Sequence, residues 1–184
     1  MRVIAGSAKG VRLAPVPRGV RPVSDRAREG LFSSITADVP GSIVLDLYAG
    51  TGALGIEALS RGADEAVFVE RSETAAAVIR SNLDKARLAD RATVLRRDIG
   101  SLVTGDDTSA GPFDLVLLDP PYELGPPELD RVLDAVAERW LPDDGGTVVL
   151  TRGSRSSMPV IPVNLAVSRT LEYGDTLVLV CRQR

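Results

Sequence analysis

The chain has 184 residues, 44% of them hydrophobic and 26% charged, with a net charge of −3: the profile of one soluble globular domain large enough to bury a core. One cysteine (Cys181) and no histidine exclude an intrachain disulfide, the common zinc sites, a Ser-His-Asp triad and a Cys-His pair, and point to chemistry without a metal. No apolar run approaches the roughly 18 residues of a membrane span, and the start (Met1 to Gly6) is too short in its apolar part for a signal peptide, so the expected location is the cytoplasm, with no membrane partner.

In chain order, residues 2–5 and 11–13 are short and β-prone around Gly6 and Gly10, a pattern for a small hairpin. Pro15, Pro17 and Pro22 then keep the chain extended. A helix is expected from Ser24 or Asp25, with Leu31, Phe32 and Ile35 as its apolar stripe, ending before Pro40-Gly41. Strand and helix then alternate: strand 43–47, helix 53–61, strand 65–70, a helix capped by Ser72 and running to about Arg87, strand 92–95, strand 114–119, helix 128–140 and strand 147–151. Residues 104–112 read as a surface loop. Two last strands, 163–171 and 176–181, flank the turn Glu172-Tyr173-Gly174-Asp175, with Cys181 as a small buried hydrophobe. Alternation of this kind implies an α/β fold: a mostly parallel sheet covered on both faces, closed by an antiparallel hairpin at one edge. The division expected is a basic N-terminal extension over residues 1–40 and a main domain over 41–184.

Charge is unevenly distributed. Residues 1–30 carry Arg2, Lys9, Arg12, Arg18, Arg21, Arg26 and Arg28 against Asp25 and Glu29, a net of +5, which leaves −8 for the remainder. A basic arm on an acidic body suits phosphate contacts that carry no sequence information; a solvated terminus is the plainer alternative. Few contacts with the main sheet are expected of this arm.

Residues 44–55 read VLDLYAGTGALG, so that Gly50, Gly52 and Gly55 form GxGxxG directly after a strand and at the opening of a helix. Glu70 follows 20 residues after Gly50, where a ribose-binding acid is found in dinucleotide-binding folds. Asp46 argues against a dinucleotide, because a carboxylate at the end of the strand would repel a pyrophosphate seated on the turn. A positively charged cofactor without phosphate, S-adenosylmethionine, fits instead. The glycines Gly50 and Gly52 then admit its methionine part, and Glu70 accepts from the ribose hydroxyls. Arg71 lies beside Glu70 in the same site. Asp98 is placed to accept from the adenine amino group with Ile99 packed beside the ring, although a helix N-cap would look the same.

Asp119-Pro120-Pro121-Tyr122 follows the strand LVLL and so faces the same crevice at the carboxyl ends of the strands. Asp119 and the Pro120 carbonyl are acceptors for the two hydrogens of an exocyclic amino group, held by a stiff corner that Pro121 completes, while Tyr122 offers a stacking face. Drawing the nitrogen lone pair out of conjugation would aim it at a sulfonium methyl, with Asp119 or water taking the proton. A base reaching such a pocket must leave its stack or sit in an exposed loop.

With these motifs in view, the segments RVIAGSAKGVRL (2–13), RPVSDRAREGLF (21–32), VLDLYAGTGALGIEALSRGA (44–63), VFVER (67–71) and FDLVLLDPPY (113–122), together with Glu172 to Asp175, resemble the bacterial 16S ribosomal RNA guanine-N2 methyltransferase family of the small subunit. The resemblance covers nearly the whole chain; positions 7–9 (SAK) depart from it in lacking an aromatic. It implies a class I, Rossmann-like methyltransferase fold of seven strands. It also implies a guanine N2 target in small-subunit RNA or an assembly intermediate, S-adenosylhomocysteine as product and an N-terminal extension for substrate recognition. By position it carries Asp46, Gly50, Gly52, Glu70 and Asp98 to the cofactor and residues 119–122 to the base, and puts Arg21 to Arg28 near the cofactor and RNA. A monomer is expected. The alternatives are an adenine-N6 DNA or glutamine-N5 protein methyltransferase, which share close forms of DPPY, and an RNA-binding module that no longer turns over.

Overall fold

A computed structural model describes residues 1–15, 23–105, 111–121, 123–143 and 145–184. Arg18, Arg21, Tyr122 and most of the surface loop expected at 104–112 lie outside the described residues.

Seven strands, β1 (Ile43–Leu47), β2 (Glu65–Glu70), β3 (Ala92–Arg96), β4 (Leu115–Leu118), β5 (Thr147–Gly153), β6 (Leu165–Tyr173) and β7 (Thr176–Gln183), form one sheet in the order β3-β2-β1-β4-β5-β7-β6. The first five pair in parallel, while β7 runs antiparallel to both β5 and β6. The expected parallel sheet with an antiparallel hairpin is therefore present, and the hairpin inserts its second strand inside the sheet, leaving β6 at the edge.

Among the described residues, five α-helices cover the faces: α1 (Asp25–Ser34), α2 (Ala53–Ser60), α3 (Glu73–Ala86), α4 (Ile99–Thr104) and α5 (Pro126–Ala135). Ser24 and Ser72 cap α1 and α3 by accepting the N–H groups of Ala27 and Ala75. The helix expected over 128–140 is present, as α5 and a π-helical last turn. The chain passes from α5 into a π-helical turn, Val136–Trp140, which delivers Trp140 into the core at 2% exposure.

The period of two along each strand sorts the core into two clusters. Val44, Leu115, Leu117, Val149 and Val178 face α1, α2 and α3. Leu45, Leu47, Val116, Leu118, Val148 and Leu150 face α4 and α5. Connections from β1 to β3 run outward on one face; α4 then carries the chain back across the other face to β4. The order of strands thus reverses between β1 and β4, and a crevice opens beyond their carboxyl ends.

The N-terminal segment is tied more closely than a sparse arm. Arg2 and Arg12 form an antiparallel bridge, and Val3, Ala8 and Leu13 are buried in the cluster that also holds α1 and α2. The N–H groups of Ile4 and Ala5 donate to the two carboxylate oxygens of Glu57 at 2.8 and 3.0 Å. Ser7 N–H donates to the Ser60 carbonyl, Ala8 N–H to Ser60 Oγ, and Asn82 bonds both backbone groups of Ala14. Gly6, at φ +83°, lies so close to α2 that a Cβ would stand 1.7 Å from the Ser60 carbonyl oxygen.

Candidate active site

The crevice is built on the turn from β1 to α2. Tyr48 takes φ +59°, uncommon for a residue with a side chain, and Gly50 and Gly52 follow at +56° and +76°. The turn is closed by Ala49 N–H donating to Val69 and Gly52 N–H to Ala49. Gly55 is needed for close packing of α2 on the sheet, since a Cβ there would stand 2.4 Å from Phe68 Cε1. No side chain at Gly52 caps α2. Asp46 does this from the strand: its Oδ2 accepts Gly55 N–H at 2.9 Å, while its Oδ1 is buried without a partner. Burial holds the Asp46 carboxyl well above the usual range, Gly55 opposes this, and Asp119 and Glu70 add to it through repulsion.

Glu70 and Asp98 stand at the ends of the neighbouring strands. Glu70 accepts from Gly50 N–H at 3.0 Å and from Ser72 N–H at 2.8 Å, joining the glycine turn to the start of α3. Asp98 is the N-cap of α4, accepting Ser101 N–H at 3.1 Å, and Ile99 behind it is buried. Arg71 lies exposed at the rim.

Across the switch point, Asp119 N–H donates to the Leu47 carbonyl at 3.4 Å, which ties the corner to β1. The Asp119 carboxylate accepts a short hydrogen bond from the Thr151 hydroxyl on β5. Burial pushes Asp119 up to about 6, against the lowering effect of Thr151. Pro120 is buried and Pro121 exposed, with the Pro121 carbonyl accepting Leu124 N–H at 3.0 Å.

Two cavities, each of about 230 Å³, meet here. One is walled by Glu70, Arg71, Asp98, Ile99, Pro120 and Pro121. The other lies under the N-terminal segment, against Leu13, Val23, Arg28, Asp46 and Thr51. Tyr48, Gly50 and Asp119 line both, so the two cavities adjoin at those residues. Burial raises the Tyr48 hydroxyl to about 12, helped by Glu128 and Asp98. Among the described residues no three His, Cys, Asp or Glu side chains gather as a metal site.

The basic residues separate into two groups. Arg2, Lys9, Arg12 and Arg26 are exposed. Arg28, expected with them, has no exposed surface: its Nη2 donates to the Arg2 carbonyl and to Asp25, both at 2.7 Å. The pattern of helix α1 explains this, because Arg28 lies one position after Ala27 and a turn before Leu31 and Phe32, on the face that packs inward. Tyr48, Thr151, Glu57 and Asn82 were not singled out in the sequence. Only Tyr48, an aromatic inside the glycine motif, carried a visible signal there.

A sheet in this order, with an acid ahead of the glycine turn and an Asp-Pro-Pro corner across the switch point, defines the class: a Rossmann-like methyltransferase dependent on S-adenosylmethionine. An Escherichia coli structure provisionally assigned as a methyltransferase, yhhF, matches with a TM-score of 0.87 and 28% identity over 100% of this chain and 98% of that one. The family model described as conserved hypothetical protein 95 matches residues 1–182, and the chain belongs to that family. Relatives include a Bacillus subtilis protein provisionally named an rRNA methyltransferase, YlbH, 34% identical over 100% of both chains. The ribosomal RNA small subunit methyltransferase D of Escherichia coli strain K12 is 31% identical over 95% of this chain and 86% of its own length. No described helix is long and apolar enough to cross a membrane.

Proposed function

We propose that this protein transfers the methyl group of S-adenosylmethionine to the exocyclic N2 of a guanine in small-subunit ribosomal RNA, acting in the cytoplasm as a monomer, without a metal. The names of the relatives support the RNA class. The observation that carries the chemistry is the position of Asp119, shared by both cavities and held by Thr151.

The residues fit the cofactor on their own chemistry. Asp46 presents a buried oxygen with no partner, a cost that a cationic ligand removes. Glu70 stands where ribose hydroxyls would be met, Asp98 and Ile99 at the adenine, and Arg71 at the rim. When bound, the cofactor supplies an electrophilic methyl on a sulfonium, and S-adenosylhomocysteine remains. The protein's part is positioning and acceptance. Asp119 and the Pro120 carbonyl accept the two amino hydrogens of the guanine, Pro121 stiffens the corner, and Tyr122 stacks on the ring. With its carboxyl raised to about 6, Asp119 is ionised at neutral pH yet more basic than an ordinary carboxylate, suited to take the proton that the methylated nitrogen sheds. Residues 1–40 form the recognition extension and 41–184 the transferase domain. Arg2, Lys9, Arg12 and Arg26, with Arg18 and Arg21 between them in sequence, supply the phosphate contacts.

Transfer of labelled methyl to small ribosomal subunits lacking their native base methylations, followed by nucleoside analysis, tests this reading against a DNA duplex. Label in N2-methylguanosine is expected. Label confined to DNA would move the target to adenine N6.

A further inference from the structure

Near its carboxyl end β5 carries Thr151 and Arg152 in succession, at 1% and 2% exposure. The period of two sends their side chains to opposite faces of the sheet. Thr151 reaches the Asp119 carboxylate. Arg152 turns to the face of α4 and α5, where its pairing partner Leu177 packs, as do Leu124 and Ile161. Its Nη2 donates to two backbone carbonyls, those of Leu124 and Ser157, each at 3.3 Å. Nε and Nη1 have no hydrogen-bond partner among the described residues. A cation buried among aliphatic side chains is expensive, and an apolar side chain of similar size would fill the space at less cost. What the guanidinium adds is reach: one rigid group bonds the loop that follows Asp-Pro-Pro and the segment that follows β5.

The corner needs such a hold. Pro120 and Pro121 have no N–H to donate, and the bond from Asp119 N–H to Leu47 is long, at 3.4 Å. Leu124 N–H donates to the Pro121 carbonyl at 3.0 Å, so one short turn joins the two residues. A grip on the Leu124 carbonyl is therefore carried through that turn to the Pro120–Pro121 peptide. We propose that Arg152 is a positioning residue for methyl transfer: it fixes the loop after the corner so that the Pro120 carbonyl meets the amino group of the target base. The assignment rests on the reading of Asp119 and Pro120 as the acceptors for that group. Arg152 lines neither cavity, whereas Leu124 lines the one walled by Pro120 and Pro121, so Arg152 acts through Leu124. Strand β5 then braces the corner from both faces of the sheet, with Thr151 on the carboxylate and Arg152 on the backbone.

Two variants of the full chain test this, Arg152→Met and Arg152→Lys. Each is measured for S-adenosylhomocysteine affinity by calorimetry and for single-turnover methyl transfer to small ribosomal subunits lacking their native base methylations. Arg152→Met keeps the length and loses every donor; its rate at saturating subunits should fall about 10- to 100-fold, the cost of a slightly misplaced acceptor. Arg152→Lys keeps the charge without the fork and should lie between, about 3- to 10-fold below the wild type. Cofactor affinity should be unchanged in both. The acidic limb of the pH profile should also stay in place, because Thr151 still holds Asp119. A wild-type rate in Arg152→Met, or a rate in Arg152→Lys no higher than in Arg152→Met, would overturn the proposal. So would equal fractional losses of rate and cofactor affinity, the sign of a fold loosened throughout, or a displaced acidic limb. If Arg152→Met does not fold, Arg152→Lys decides alone: a lowered rate with cofactor affinity kept supports the proposal, and a wild-type rate overturns it. A wild-type protein that transfers no methyl to the subunits would instead overturn the reading of the corner itself.

Discussion

Two groups of buried polar side chains lie within one face of this molecule, and they are finished differently. Where the N-terminal segment meets α2, the carboxylate of Glu57 has no exposure and accepts from Ile4, Ala5 and Arg61, while Asn82 bonds Ala14 twice and Thr51 once. In the crevice, Asp46 and Arg28 are as deeply buried but keep unpaired atoms. A buried polar group that completes its bonds within the chain holds the chain together. One that does not carries a desolvation cost that a bound partner would remove.

The sharpest way to break this contrast is Glu57→Ala. It strands two backbone N–H groups and Arg61, so the loss should be about 3–5 kcal/mol, a melting point lower by roughly 10 °C in a chain of this size. Affinity for S-adenosylhomocysteine, measured at a temperature where the variant is folded, should be retained; a large loss would mean the two groups are one functional unit. Asp119→Ala should reverse the pattern, with turnover reduced by about 100- to 1,000-fold and cofactor binding kept. Unchanged turnover would remove Asp119 from the chemistry.

Asp119→Asn separates stability from activity. Its carboxyl rises from 3.8 to about 6 on folding, so at about 1.4 kcal/mol per pKa unit the ionised form penalises the folded state by at most about 3 kcal/mol. The penalty is full above pH 6, shrinks as pH falls toward 3.8 and is absent below that. Asn should therefore raise the melting temperature at pH 8 and leave it unchanged at pH 3.5, as followed by circular dichroism. Methylation by the native enzyme should fall as pH drops through 6, when the carboxylate is lost. Thr151→Val has a smaller expected effect: loss of one oriented bond, about 1 kcal/mol, read as a several-fold lower kcat with the acidic limb of the pH profile moved upward. Mildest per residue, joint replacement of Arg2, Lys9 and Arg12 by Gln should flatten the salt dependence of RNA binding by about two logarithmic units per tenfold salt. An unaltered slope would leave the exposed basic face without a role.

The sequence exposed whatever depends on local pattern. Ile43 to Leu47, Glu65 to Glu70 and the glycine turn follow from period, turn chemistry and strand composition, and Asp119 stands where the run LVLL ends. Asp98 was open between cofactor ligand and helix cap; its bond to Ser101 establishes the cap, and the cavity beside it keeps the other role available. What stayed hidden depends on partners distant in sequence. Glu57 looks like a surface acid on an amphipathic helix, but every residue of α2 is buried because the N-terminal segment covers its outer side. Arg28 reads as one more arginine in a basic run, and only tertiary packing shows it turned inward. Thr151 gains its importance from Asp119, 32 residues away.

The insertion of β7 between β5 and β6 has a consequence for how the protein is made. Seven of its residues, Thr176 to Arg182, pair with β5 along the whole of that strand, and Arg182 reaches back to Asp38 just beyond α1. During synthesis β5 emerges with its outer edge bare, and the strand that protects it is translated last of the seven. The hairpin-forming Tyr173-Gly174-Asp175-Thr176 turn must therefore deliver β7 to an edge already waiting, so the nascent chain carries an unpaired β5 until then, the interval in which a chaperone or a ribosome-bound surface would find it most receptive.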